Sequence, residues 1–136
     1  MSRSALLAYQ LLTGASDTVT GALLLVVPGF TLRLLQLSAP PVAGVYLSFI
    51  GAFVLSVGFA CLYGAFVLVA NRSRVKLETV WLLTAFTRAS VAIFVLTQIL
   101  FSRLGPGWLT VAVADGACVL IQATGLRNGW LRDAAE

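Results

Sequence analysis

The feature that most constrains this chain is a series of four apolar stretches, each long enough to cross a lipid bilayer. They run from about residue 5 to 27, 42 to 70, 79 to 100 and 108 to 126, and a spanning helix needs about 20 mostly apolar residues. Proline and glycine residues interrupt the chain between the first two stretches, at positions 28–29 and 40–41, and before the fourth, at positions 105–107. The sequence therefore predicts an all-α membrane protein, a single domain built as a bundle of four transmembrane helices.

Composition excludes the other fold classes. Of the 136 residues, 60% are hydrophobic and 10% are charged, against about 45–50% and about 25% in ordinary soluble domains. Polar residues are too few to cover the surface of a soluble domain of this size. Apolar runs such as residues 22–27 lack the alternation of apolar and polar residues that strands of a membrane barrel show.

The distribution of lysine and arginine predicts the orientation. With four spans, both termini and the 71–78 connection share one side, and the cytoplasmic side of a membrane protein carries the excess of basic residues. Two basic residues, Arg33 and Arg103, fall on the opposite side, whereas the shared side holds six: Arg3, Arg72, Arg74, Lys76, Arg127 and Arg132. We therefore expect both termini and the 71–78 connection to lie in the cytoplasm.

Features at the ends of the spans carry three further expectations. Trp81, Trp108 and Trp130 are expected to lie at the membrane interface, where tryptophan is enriched. Glu78 is expected to cap the third span or to pair with Lys76. Residues 29–37 are expected to form a short interfacial helix between spans 1 and 2, with a re-entrant or packed connection as the alternative.

Three charged residues fall inside the spans: Asp17, Arg88 and Asp115. On a rise of about 1.5 Å per residue, all three lie about 14–18 Å from the cytoplasmic ends of their helices. A lone charge at this depth is unfavourable by about 2.5–3.5 kcal/mol, and a guanidinium can serve two carboxylates. We predict that Arg88 lies inside the bundle and bridges both aspartates. If both aspartates are ionised, the cluster carries one net negative charge, and a low dielectric then favours protonating one of them. This proton is the only sign of proton-linked chemistry in the sequence.

Polar residues at helical spacing flank this cluster and predict an internal seam. Its members are Gln10, Thr13, Thr84, Gln98 and Gln122. The second span contributes glycines instead, with Gly51 and Gly58 on one side, a pattern that suits close helix packing. The cluster and seam have three interpretations: structural contacts that fix helix register, polar anchors for a ligand, or a path for protons or ions.

The residue inventory argues against catalysis and against a metal or cofactor site. The chain has no histidine, and its two cysteines, Cys61 and Cys118, are far apart, so no Cys/His ligand set exists. No nucleophile has an adjacent base at a spacing that we recognise. The net charge of +4 is expected to contact anionic lipid rather than nucleic acid.

Three segments resemble small bacterial four-helix membrane proteins of the broad DoxX-like type. They are residues 21–30, residues 49–58, and residues 113–116 continuing to Gly125 and Leu126. The resemblance covers most of the chain and is carried by leucine, glycine and proline. It implies an inner-membrane four-helix bundle, and it implies no activity and no catalytic residue.

Three functions are compatible with these features. The first is an accessory or scaffolding subunit of a larger membrane complex, with other subunits or a second copy of the chain as partners. The second is a binder or carrier of a small lipophile, such as a quinone or lipid, in a cavity lined by the seam and by four aromatic residues: Phe49, Phe53, Tyr63 and Phe86. The third is a proton-coupled transporter.

Overall fold

The computed structural model describes residues 1–38, 44–71 and 73–133. These residues form helices and connecting turns, with no strand among them. The helices are α1 (Arg3–Val26), α2 (Pro28–Leu34), α3 (Gly44–Phe66), α4 (Arg74–Leu100), α5 (Leu109–Arg127) and α6 (Trp130–Asp133). A π-helical turn at Val67–Asn71 continues α3, and a 3₁₀ turn at Pro106–Trp108 precedes α5.

In the described part of the chain, three helical segments are long and apolar enough to cross a membrane. They are Gly44–Ala70, Arg74–Leu100 and Pro106–Arg127, so the prediction of an all-helical membrane protein is confirmed. Helix α1 is also long, with 24 residues. Its polar residues, among them Gln10, Thr13 and Asp17, lower its hydropathy.

Two buried clusters define the ends of the bundle. At one end, which we call the Leu6 end, Leu6 of α1 packs with Leu68, Leu77, Trp81 and Leu131. At the opposite end, the Leu47 end, Leu47 of α3 packs with Leu32 and Leu37 and with the half-buried Trp108 and Val111. The start of α1, the end of α3, the start of α4 and α6 therefore meet at the Leu6 end.

Helices α1 and α3 pack with their backbones in close approach. A Cβ atom on Gly58 would lie 2.5 Å from the backbone nitrogen of Thr18, and one on Gly51 would lie 2.8 Å from Leu24 Cβ. From α1, a Cβ on Gly21 would lie 2.7 Å from Leu55 Cα. Glycine is therefore required at these crossing points, which is the packing that the glycine pattern of α3 predicts.

Helix α4 begins earlier than predicted, at Arg74 instead of residue 79. Glu78 does not cap the helix or pair with Lys76. Its carboxylate accepts a hydrogen bond from Arg74 Nε at 2.7 Å, one turn earlier in the same helix. This i, i+4 pair stabilises the first turns of α4. These turns include residues that we predicted to belong to the 71–78 connection.

The connection after α1 contains the predicted short helix, but α2 ends sooner than expected. It stops at Leu34 because Gln36 adopts a left-handed backbone, with φ 55°. The N–H of Leu37 then bonds back to the carbonyl of Leu32 at 2.8 Å. This turn buries Leu37 at the Leu47 end, whereas Gln36 lies outside the helix.

Trp81 is wrongly predicted as an interfacial residue, because it is fully buried in the Leu6-end cluster. Its ring fills the space above Gly125, where a Cβ atom would lie 2.5 Å from Trp81 Cζ3. Trp108 and Trp130 are half-buried, and the indole N–H of Trp108 donates to the carbonyl of Ser38 at 3.1 Å. One of the three tryptophans is therefore a core residue.

Candidate functional site: an ion cluster and a buried polar layer

Arg88 occupies the middle of α4 and joins three helices through its guanidinium. It is 6% exposed. Nη1 donates to Asp115 Oδ1 on α5 at 2.7 Å, and Nη2 donates to Asp17 Oδ2 on α1. The sequence-predicted bridge between the two aspartates is therefore present in the structure.

Charge balance explains why the cluster must lie inside the bundle. The Asp17 and Asp115 side chains are 19% and 16% exposed, so each carboxylate is mostly buried. A charge buried without a partner is strongly unfavourable, whereas a paired and hydrogen-bonded one is tolerated. With both aspartates ionised, the formal charge of the three side chains is −1.

The cluster connects two pairs of helices. Close contacts join α1 to α3 through glycine, and α4 packs along α5. Asp17 belongs to the first pair, while Arg88 and Asp115 belong to the second. The Arg88–Asp17 ion pair is therefore a polar contact between the two pairs of helices.

A second layer of polar side chains lies two helical turns away toward the Leu6 end. Gln10, Trp81 and Gln122 are each seven residues from Asp17, Arg88 and Asp115, respectively, a distance of about 10.5 Å along each helix. All three are 0% exposed. We call this set the glutamine layer.

Hydrogen bonds satisfy only part of the glutamine layer. Gln122 Nε2 donates to Thr84 Oγ1 at 2.7 Å, and this hydroxyl donates in turn to the carbonyl of Val80 at 2.7 Å. Gln10 packs against Gly64, where a side chain would overlap its amide. Among the described residues, no hydrogen-bond partner exists for Gln10 Nε2, Gln10 Oε1, Gln122 Oε1, Trp81 Nε1, Tyr9 OH or Arg88 Nε.

The predicted seam is therefore partly assembled. Gln10, Thr84 and Gln122 are buried in the interior. Thr13 is half-buried, and its hydroxyl donates to the carbonyl of Tyr9 at 2.7 Å within the same helix. Gln98 lies ten residues beyond Arg88, about 15 Å along α4 and about 80° around it, so it belongs to neither layer.

Sequence reasoning missed two members of the site, Trp81 and Tyr9. Their rings pack with centroids 5.5 Å apart, so Tyr9 lies beside Trp81 of the glutamine layer. The seven-residue spacing between Trp81 and Arg88 is the signal that could have identified Trp81, because residues two turns apart share a helix face.

The aromatic residues predicted to line a lipophile cavity face outward. Phe49, Phe53, Tyr63 and Phe86 are all exposed, with Phe86 at 73%. They therefore belong to the outer surface of the bundle, where aromatic and aliphatic side chains meet lipid, and the expectation that they line an interior cavity is wrong.

The outer surface also has an apolar groove between α4 and α5. Its volume is about 330 Å³, and it is lined by Ala89, Ala92, Ile93, Gly116, Val119 and Leu120. A Cβ atom on Gly116 would meet nothing within 4 Å. The glycine is therefore not needed for packing within the described chain, and the small residues leave the groove open to the outside.

No protein-family model, curated protein or solved structure matches the chain. The assignment of a role therefore rests on the charges, the interior and the surface described above.

Proposed function

We propose that the protein is a non-catalytic, multi-pass inner-membrane protein that acts as an accessory or scaffolding subunit of a larger bacterial membrane complex. Two observations support the proposal: the partners in the ion cluster all belong to this chain, and a groove on the outer surface is open. Arg88 has both of its carboxylate partners within the chain, and the groove between α4 and α5 is lined by small and apolar residues.

The groove suits a transmembrane helix of another chain. Lipid is as apolar as leucine, so membrane helices associate by close packing, and small residues allow their backbones to approach. Ala89, Ala92 and Gly116 supply such a surface on two neighbouring helices. The partner is another membrane subunit or a second copy of this chain.

The finer topology is part of the same proposal. Helix α1 spans about 36 Å, so its length suits a fourth span, and Gln10 and Asp17 lie on its inward side. The basic residues then put both termini in the cytoplasm. The loose resemblance to DoxX-like proteins supports the same arrangement.

This topology predicts the behaviour of reporter fusions. Green fluorescent protein joined after Glu136 is expected to fluoresce, and alkaline phosphatase at the same position is expected to be inactive, because a cytoplasmic terminus leaves the first reporter folded and the second reduced. Fusions within the 103–107 connection should give the opposite pair. An active phosphatase after Glu136 would overturn the proposed orientation.

The groove is tested by cross-linking in native membranes. A photoreactive residue at Ile93 is expected to give a discrete cross-linked product, and Gly116→Leu should abolish it by filling the groove. Ala114→Leu is the matched control, because Ala114 is exposed on α5 outside the groove, and it should leave the product unchanged. A product of twice the chain's mass identifies a second copy as the partner.

Loss of the product in both variants, or in neither, would argue against helix docking at this surface. Circular dichroism and detergent extraction of each variant should match the wild type. Since a Cβ on Gly116 meets no atom within 4 Å, the leucine is expected to leave the bundle itself folded.

The structure gives less support to the two alternative functions. A lipophile carrier or a proton-coupled transporter needs its polar interior to communicate with the outside. Gln10, Trp81 and Gln122 are fully buried. From the ion cluster toward the Leu47 end, the buried residues of the long helices are apolar or glycine: Gly21, Leu24, Leu47, Gly51, Ala92, Val95 and Ala112.

A further inference from the structure

We propose that the glutamine layer is a binding site for internal water, held between α1, α4 and α5 on the Leu6 side of the ion cluster. This inference is independent of the proposed docking function, because it concerns groups that are fully buried in the single chain. It rests on the unfilled hydrogen-bonding capacity of Gln10, Trp81 and Gln122.

The number and kind of unpartnered atoms define the ligand. Gln10 Nε2 and Trp81 Nε1 are donors, Gln10 Oε1 and Gln122 Oε1 are acceptors, and Tyr9 OH can act as either. Buried polar atoms are almost always hydrogen-bonded, and leaving each one unpaired is unfavourable by about 1–3 kcal/mol. A water molecule both donates and accepts, so it matches this mixed set, whereas an ion of either sign would match only part of it.

The two amides differ in how far they are satisfied. Gln10 has no partner at either polar atom. Exchanging the nitrogen and oxygen of Gln122 would set its oxygen against Thr84 Oγ1, whose proton is already donated to the carbonyl of Val80. Gln122 therefore makes a hydrogen bond through its Nε2 atom, and its Oε1 atom remains free to accept one.

The surroundings favour water over an organic head group. Leu6, Leu68, Leu77 and Leu131 pack with Trp81 in a buried apolar cluster at the Leu6 end, and Gln10, Trp81 and Gln122 are 0% exposed. A water molecule needs only about 10–15 Å³ of accessible volume and two to four polar partners. Arg88 Nε is also unpartnered, so unfilled hydrogen bonds extend from the layer to the ion cluster.

Solid-state NMR of the protein in lipid bilayers tests the proposal. With nitrogen-labelled tryptophan, glutamine and glycine, magnetisation is transferred from water protons to the labelled N–H groups. We expect transfer to the Trp81 indole N–H and the Gln10 amide, although both side chains are 0% exposed. The backbone amide of Gly51, in the glycine contact between α1 and α3, is expected to receive none.

Matched variants separate bound water from general penetration of solvent. In Gln10→Met/Gln122→Met, the polar partners are replaced by side chains of similar length, and transfer to the Trp81 indole should fall to the level of Gly51. Gln98→Met is the control, because this half-buried glutamine lies outside the layer, and it should leave the transfer unchanged. Helix content is measured for each variant, and Gln122→Met alone is used if the double variant does not fold.

Three results would overturn the proposal. The first is no transfer to the Trp81 indole in the wild type, and the second is unchanged transfer in the double variant, or in Gln122→Met alone where that is the variant used. The third is transfer to this indole from acyl-chain or co-purified organic protons, which would identify a lipophile head group as the occupant.

Discussion

Replacing Arg88 with leucine is expected to destabilise the bundle by about 3–5 kcal/mol, the range for removing one partner of a buried ion pair. The substitution leaves Asp17 and Asp115, which lie on different helices and both face the guanidinium, without a counter-charge. Unfolding of the purified protein by sodium dodecyl sulfate in mixed micelles, followed by circular dichroism, measures the change in free energy.

The destabilisation is expected to come from the uncompensated carboxylates and not from the lost arginine itself. Adding Asp17→Asn and Asp115→Asn to Arg88→Leu should therefore recover most of the stability, because no charge then remains in the interior. The control is Arg103→Leu, which removes an exposed arginine that stacks 5.6 Å from the Phe101 ring. It should change the free energy of unfolding by less than about 1 kcal/mol.

The two aspartates are expected to tolerate single substitution better than Arg88 does. In Asp17→Asn or Asp115→Asn, the amide oxygen can still accept from the guanidinium, and the formal charge of the cluster rises from −1 to zero. Equal damage from Asp17→Asn and Arg88→Leu would contradict this account of the cluster. A folded Asp17→Asn protein that loses a transport activity would instead support the proton-coupled alternative.

The ion cluster could be predicted from the sequence because unpaired charges are strongly unfavourable among apolar helices. Three charges at similar depth on separate apolar helices each need a partner, and Arg88 has the geometry to serve both carboxylates. Gln10, Thr84 and Gln122 follow from helical spacing around the same residues. Gln98 does not, because ten residues rotate it away from Arg88, and Val95, seven residues along, takes the buried face instead.

Trp81 shows why the rest of the interior was harder to predict. A tryptophan near the end of an apolar stretch satisfies the pattern of an interfacial anchor. Its burial depends on Gly125 of another helix, where any side chain would overlap the ring, and on Leu131 in α6. Neither partner is close to Trp81 in sequence. Phe86 lies two residues before Arg88, on the opposite side of α4. Because Arg88 faces the interior, Phe86 faces outward.

Replacing Gly21 or Gly58 with alanine is expected to destabilise the protein by about 1–3 kcal/mol each, the usual range for overpacking. The atoms that the new methyl group would meet belong to the backbone: Leu55 N and Cα for Gly21, and Thr18 N for Gly58. They cannot move without displacing a whole helix. Because Asp17 directly precedes Thr18, the residue that Gly58 approaches, separation of α1 from α3 also moves its carboxylate relative to Arg88. The same detergent titration measures this effect.

Gly116→Ala is the matched control for these two variants, because it adds the same methyl group to a helical glycine with no atom within 4 Å. Its stability should equal or slightly exceed that of the wild type, since alanine favours helix over glycine by about 1 kcal/mol. The double variant Gly21→Ala/Gly58→Ala should show a larger loss than either single change. If Gly21→Ala and Gly116→Ala behave alike, α1 and α3 do not approach as closely as described, and the position of Asp17 beside Arg88 needs another cause.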